Sequence, residues 1–545
     1  MKPTKKILPV LLFVLVLSCA NYTDEISIRI ESPVLPVLTG KDANPVLKVE
    51  MIRQQLIDYS LQKIVVSLEG TTDLNDIERI SLLKSDSKGN FATGTLIGEA
   101  QPPASVVTFR DNFNVTEDTL TFWVSVTLKE NIDLTHRIKV QCKSISTDIG
   151  KIRVPAADIQ SLRVGVAVRR HMQDGVHTSR IPGLATSKKG TLLAIYDARY
   201  ESARDLQGHI DIGLNRSLDE GRTWEPIQIV LDMNKWGGLP EKYNGVSDAC
   251  ILVDDNNGDI YIAGLWMHGV LDRETGKWVE GMTGDSTRWI HQWQAKGSQP
   301  GFGVKETSQF LITKSTDDGL TWSEPVNITP IKKKEWWLFA PAPGHGITLS
   351  DGTLVFPTQG RDEMGKPFSN ITWSKDGGKT WNVSKLASSG TTECMAVELS
   401  DRSIMLNMRD NRNRGNEEIN GRNIATTTDL GETWTEHSTS RKALIEPTCM
   451  ASLHKHVYND GGTEKSILLF VNPNSTSKRD HITLKVSFDD GRTWPEEYWI
   501  LLDEYSGRGY SCITSVDENT IGILYESSQA DMVFQQIALN ELIGK

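Results

Sequence analysis

The feature that most constrains this chain is a short turn that recurs along it. Ser217-Leu218-Asp219-Glu220-Gly221-Arg222-Thr223-Trp224 follows the pattern Ser/Thr-x-Asp-x-Gly-x-Thr-Trp, and the pattern returns at Ser315–Trp322, Ser374–Trp381, Thr427–Trp434 and Ser487–Trp494. The residue types suit the tip of a hairpin. Asp and Ser/Thr side chains bond backbone amides, Gly supplies positive φ, and Trp anchors the turn on its own sheet. A turn repeated at this spacing means a supersecondary unit repeated along the chain. Six apolar segments set the number of units: Thr191–Tyr196, Ile260–Ala263, Thr353–Phe356, Ser403–Leu406, Ile467–Phe470 and Ile521–Leu524. Five lead into a turn motif and the sixth does not. The long stretch between Trp266 and Thr307 reads as an inserted loop of the second unit. Six small antiparallel sheets around an axis, a six-bladed β-propeller over residues 161–545, account for this pattern.

The upstream part differs. Residues 46–160 show short alternating runs such as Ile64-Val65-Val66-Ser67-Leu68 and Thr121-Phe122-Trp123-Val124-Ser125-Val126, without a sustained helical period. This predicts a β-sandwich that either binds carbohydrate or only supports the propeller, the sequence leaving both open. The fold class is therefore all-β, a six-bladed propeller preceded by a sandwich. Residues 19–45, polar and rich in Pro and β-branched residues, read as a tether. Residues 1–18 read as a signal peptide, with Lys2, Lys5 and Lys6 before the apolar run Ile7–Leu17. Val16-Leu17-Ser18-Cys19 resembles a lipobox, making Cys19 the expected lipid anchor and the chain an envelope lipoprotein, on the periplasmic or the outer side. The formal net charge of −11 argues against nucleic acid or an anionic lipid surface as a partner. The remaining cysteines, Cys142, Cys250, Cys394, Cys449 and Cys512, lack CxxC spacing and read as buried apolar residues.

Between the turns lie segments that resemble bacterial exo-sialidases, family 33 glycoside hydrolases, over roughly residues 162–540; the turn motif is that family's Asp box. Arg180-Ile181-Pro182 resembles the segment carrying the first of three Arg that bind a substrate carboxylate. Tyr196-Asp197-Ala198-Arg199 resembles the segment whose Arg199 would lie near the sugar's C4 hydroxyl, and Asp205 stands where the family has its acid/base. Ser247-Asp248-Ala249 matches a substrate-contacting Asp248. Glu393 and Arg409, the latter in Leu406-Asn407-Met408-Arg409, match the base for the nucleophile and the second triad Arg. Arg479, after Asn472-Pro473, matches the third, with Arg412, Arg414 and Arg508 as nearby rivals. Gly509-Tyr510-Ser511 carries the Tyr510 nucleophile, and Leu524-Tyr525-Glu526 the acid that holds Arg180. The same sandwich-plus-propeller order is similar to gut-bacterial lipoprotein sialidases.

These residue types fit one chemistry. Three guanidinium groups suit the carboxylate beside the anomeric carbon of sialic acid. A phenol approaches that centre without the repulsion a carboxylate nucleophile would meet, and sialidases are the exception that uses Tyr. With a pKa of about 10, the phenol needs a base. The resemblance thus implies an exo-α-sialidase acting on sialylated glycans with retention and with no metal or organic cofactor. Two other outcomes stay open at this point. One is transfer, intermolecular or intramolecular, from the same site; the other is a non-catalytic glycan-binding propeller. Trp289, Trp293, Trp336 and Trp337 read equally as a sugar-binding rim or as packing, and His345 reads as structural.

Overall fold

The computed structural model describes residues 22–544, apart from 86–90, 92–93, 99, 207, 238–239, 269–270, 273–288, 291–297 and 417. The signal peptide, Cys19 and Trp293 lie outside the described residues, as does the side chain of Trp289.

Six antiparallel sheets follow one another along the C-terminal part. Blade 1 comprises Thr178–Thr186, Leu192–Arg199, Ile210–Ser217 and Gln228–Leu231. Blades 2 to 5 take their second strands from Ile260–His268, Leu354–Arg361, Ile404–Asp410 and Thr463–Pro473. In blade 6, Ser511–Asp517, Thr520–Tyr525 and Met532–Ala538 are completed by Leu162–Arg169 from the start of the propeller. The N-terminal strand thus closes the ring on the C-terminal one, so the sixth blade needs no turn motif. Second and third strands in blades 1 to 4 bury nearly every side chain, as does the second half of Thr463–Pro473 in blade 5, because each sheet packs against a neighbour on both faces.

Each turn motif joins the third and fourth strands of its blade. In the first, Ser217 Oγ bonds Asp219 Oδ1 (2.8 Å) and accepts from the Gly221 amide (2.8 Å). Asp219 also accepts from the Thr223 amide (3.0 Å) and hydroxyl (2.7 Å), and Trp224 Nε1 donates to the Gly221 carbonyl (3.1 Å). The other four copies repeat the Asp-centred bonds. These bonds hold the carboxyls of Asp317, Asp376 and Asp429 down at about 2.

The N-terminal part is a sandwich of two five-stranded sheets. One differs from expectation at its start. Residues expected as a tether form strands instead: Ile26–Glu31 pairs with Asn44–Arg53, and Val37–Thr39 pairs in parallel with Leu162–Arg169 of blade 6. Ile26, Ile28 and Ile30 alternate with polar residues, so this segment has an apolar face to bury. One continuous apolar core runs from the sandwich through Val164 and Val166 into blades 1 and 6. The five cysteines downstream of Cys19 are buried and unpaired. Trp336 packs among Phe339 and Phe368 as a core residue rather than a rim residue.

Candidate active site

The second strands place one set of side chains at the end of the propeller opposite the turn motifs. Leu192 pairs with Ser217 of the first motif, and Arg199 ends the same strand at the other side. A strand of this length spans roughly 25 Å. At that end a cavity of about 650 Å3 is lined by Arg180, Arg199, Asp205, Asp248, Glu393, Arg409, Arg479 and Tyr510, with Gln359, Arg361 and Arg414 among its other walls. Eight of the nine site residues expected from sequence line it, and the ninth, Glu526, lies directly behind Arg180.

Irregularities in the innermost strands aim these groups at the axis. Register breaks fall between Arg180 and Gly183, between Ser247 and Cys250, and between Thr391 and Cys394. Ile181 and Asp248 take positive φ, 62° and 55°, a conformation that costs a residue other than glycine about 1–3 kcal/mol and persists only where neighbours hold it. Gly509 (φ 91°) sits where a Cβ would meet Pro473, Arg479 Cβ and Cys449 Sγ at 3.0–3.1 Å. Glycine there lets Arg479 close over Tyr510.

Glu526 is the anchor. Its side chain is 1% exposed and accepts from Arg180 Nε (2.6 Å), the Ile181 amide (3.0 Å) and the Tyr510 amide (2.9 Å). Burial alone would raise this carboxyl, but Arg180 and the two amides hold it below its ordinary value. One acid therefore fixes Arg180, the strained Ile181 and the start of the Tyr510 segment together.

Tyr510 is 5% exposed. Its hydroxyl donates to Glu393 Oε1 and accepts from Arg409 Nη1 (3.1 Å), which also donates to Glu393 Oε2 (2.6 Å). The guanidinium carbons of Arg180 and Arg479 lie 5.5 and 5.4 Å from the centre of the Tyr510 ring. Burial and then the Glu393 carboxylate push the phenol well above its usual value. Burial raises Glu393 as well, yet Arg409 and the Tyr510 hydrogen bond bring it below the normal range. At rest the pair is a neutral phenol on an ionised carboxylate, the state in which Glu393 can accept a proton.

Of the candidates near the third Arg, Arg479 points inward and donates to the Arg508 carbonyl (2.9 Å), whereas Arg412 is turned onto Asp410. Arg199, expected beside a sugar hydroxyl, is also bound to protein: it donates to Asp197 Oδ2 (2.7 and 3.1 Å), the Ala203 carbonyl (2.9 Å) and Asp205 Oδ1 (2.7 Å). Asp248 accepts from Gln359 Nε2 (3.2 Å) and is pushed well up by burial and by Asp205 and Glu393.

Sequence reasoning did not single out Asp197 or Gln359. A signal existed. Leu192, Leu354 and Ile404 each pair with the first residue of their turn motif, and Asp197, Gln359 and Arg409 stand at the same distance beyond them. Among the described residues no cluster of three or more His, Cys, Asp and Glu is arranged to hold a metal ion.

Comparison with known proteins bears on the chain as a whole. Residues 181–504 match the BNR repeat-like domain, and residues 25–151 match the N-terminal domain of BNR-repeat neuraminidase. A sialidase of Bacteroides fragilis is 38% identical over 539 residues, covering 93% of this chain and 94% of its own. A sialidase of Paraclostridium sordellii is 29% identical, covering 64% of this chain and 81% of its own. The solved structure of a Hadza microbial sialidase, Hz136, superposes with a TM-score of 0.84 at 36% identity, covering 94% of this chain and 100% of its own. The ring of six sheets, the inward Arg cluster around a Tyr–Glu pair and these likenesses over nearly the whole length together show that the chain belongs to the BNR-repeat sialidases.

Proposed function

We propose that this protein is an exo-α-sialidase that releases terminal sialic acid from glycoproteins, glycolipids and oligosaccharides with retention of configuration. The observation that carries the reading is the Tyr510 hydroxyl resting on Glu393 inside a cluster of Arg180, Arg409 and Arg479. Those three cations face two carboxylates, Glu393 and Glu526. One positive charge is left over for an incoming carboxylate, which charge-assisted bonds from guanidinium groups would fix in orientation.

With the carboxylate so held, the anomeric carbon lies over Tyr510. The phenolic oxygen attacks that carbon as the glycosidic bond breaks; its proton passes to Glu393, and Asp205 gives its proton to the departing oxygen. Asp205, now ionised, takes a proton from water, whose oxygen attacks the same carbon. The bond to Tyr510 breaks and the phenolate regains its proton from Glu393. Two inversions give net retention. Gln359 and Asp248 would face the remainder of the sugar.

Release of fluorophore from a 4-methylumbelliferyl sialoside tests the reading. Activity in wild type and its loss in Tyr510→Phe are expected. An inert wild type, or an undiminished Tyr510→Phe, refutes it. NMR of the product separates hydrolysis from transfer. We further propose attachment through a lipid on Cys19: Cys19→Ala should move the protein from the membrane to the soluble fraction, and an unchanged distribution would refute this.

A further inference from the structure

Asp205, the proposed acid/base, stands on an exposed loop; its side chain is 51% exposed. A proton donor so placed must be held from behind. Among the described residues its hydrogen-bond partner is Arg199 Nη2 at 2.7 Å. Arg199 is in turn buried, 1% exposed, and gripped by Asp197 Oδ2 through both Nε and Nη2. Asp197 is fully buried and accepts at the same oxygen from the Ser247 hydroxyl of blade 2 (2.7 Å). The groups form one line from the blade 1–blade 2 seam to the cavity: Ser247, Asp197, Arg199, Asp205.

We propose that Asp197 and Ser247 are positioning residues for the proposed acid/base Asp205, acting on it through Arg199; this rests on the sialidase reading above.

Three observations favour this over an ordinary buried ion pair. All three donors, Arg199 Nε and Nη2 and the Ser247 hydroxyl, converge on Asp197 Oδ2, and among the described residues Oδ1 accepts no hydrogen bond, so the whole hold of Asp197 is directed along the line to Arg199. Asp197 also occupies the blade position that elsewhere carries Arg409 and Gln359, both of which line the cavity. Finally, the line is an alternation of charges, so each member sets the field felt by the next. Asp197 faces Arg199 and Asp205 of its own blade and Asp248 of blade 2; Arg199 also faces Arg180 and Arg508. Burial lifts the Asp197 carboxyl to about 6, so its charge is held only with the help of Arg199 and Ser247.

The consequence is specific to proton donation. With Asp197 and Ser247 behind it, the Arg199 fork is fixed and holds the Asp205 carboxyl at the cavity, where it can reach the departing oxygen. Without Asp197 that fork is free to turn, and Asp205 loses the position from which it gives its proton.

The test compares two substrates. An aryl sialoside such as the 4-methylumbelliferyl compound has an acidic leaving group that departs with little protonation. Sialyllactose leaves as a sugar alkoxide and needs the proton; general acid catalysis is worth roughly 10²–10⁴-fold in such a case. For Asp197→Asn, kcat/KM on sialyllactose should fall at least about tenfold more than on the aryl sialoside. Ser247→Ala should act in the same direction and more weakly, and decides the matter if Asp197→Asn does not fold. Equal losses on both substrates would overturn the proposal alone. A wild type inert toward both substrates would overturn the sialidase reading and this proposal with it.

Discussion

Glu526→Gln is the substitution on which most of the site depends. In the wild type one buried carboxylate accepts from Arg180, from the Ile181 amide and from the Tyr510 amide. Glutamine keeps the shape but removes the charge and turns an NH2 group toward donors. Arg180, whose side chain is only 12% exposed, is then left without its counter-charge beside Arg409 and Arg479. Removing one partner of a buried ion pair costs about 3–5 kcal/mol. Release of the positive-φ turn at Ile181 removes the restraint on a conformation that itself costs about 1–3 kcal/mol. The sign of the pH dependence follows from the shift. Glu526 is depressed in the fold, so its contribution is fully present above the unfolded carboxyl value of about 4.3 and is lost as pH falls through the folded value. Thermal melts of wild type and variant should therefore differ strongly at pH 7 and converge as pH drops below about 4. A second reading comes from ligand: free sialic acid brings a carboxylate to the same three cations, so it should raise the wild-type midpoint clearly and the variant's less, because Arg180 has lost its alignment. Melting curves of wild type and Glu526→Gln that coincide at pH 7, with kcat/KM on the aryl sialoside unchanged, would refute the reasoning.

Two further outcomes follow from groups away from the chemistry. Lys485 is fully buried in blade 5, with Nζ 3.2 Å from Asn472 Oδ1 and 4.7 Å from the Trp499 ring centre, and burial drives its ammonium down to about 7. Its folded value is depressed, so stability should rise from about pH 7 to 10, by up to about 4 kcal/mol, and Lys485→Met should flatten that rise in urea titrations. Asp376→Ala removes the carboxylate that ties Ser374 to Thr380 in the third turn motif; differential scanning calorimetry should show a midpoint lowered by a few degrees, while KM stays unchanged because the motif lies at the end of the blade away from the cavity.

How far the chain could be read without coordinates depended on how local the determinant was. The six blades were legible because each second strand and turn motif is a contiguous segment with its own period. The closure of blade 6 by Leu162–Arg169 was not, since that strand is defined by a partner at Met532–Ala538 far along the chain. The start of the sandwich is hard to read in the sequence for a related reason. Val37–Thr39 is too short to announce itself and is fixed by parallel pairing with blade 6, while the alternation of Ile26, Ile28 and Ile30 was overshadowed by Pro33 and Pro36. The site residues were legible as segments, and the cavity brings those segments together. Their aim was not. Positive φ at Ile181 and Asp248 falls on residues that do not advertise it, because Glu526 and the register breaks impose it from outside. Arg199 shows the same limit: its segment is legible and it lines the cavity, but the fold supplies the bonds to Asp197, Ala203 and Asp205 that hold it there.

The central claim is that Tyr510 is the nucleophile. A 2,3-difluorosialic acid traps the intermediate, because fluorine at C3 disfavours the positive charge that builds up in both steps while fluoride at the anomeric C2 is a good enough leaving group for the first step to outrun the second. Incubation followed by peptide mapping in the mass spectrometer should find the sugar on the peptide carrying Tyr510, and not in Tyr510→Phe. Label on Glu393, on Asp205 or on no residue of an active preparation would contradict the account.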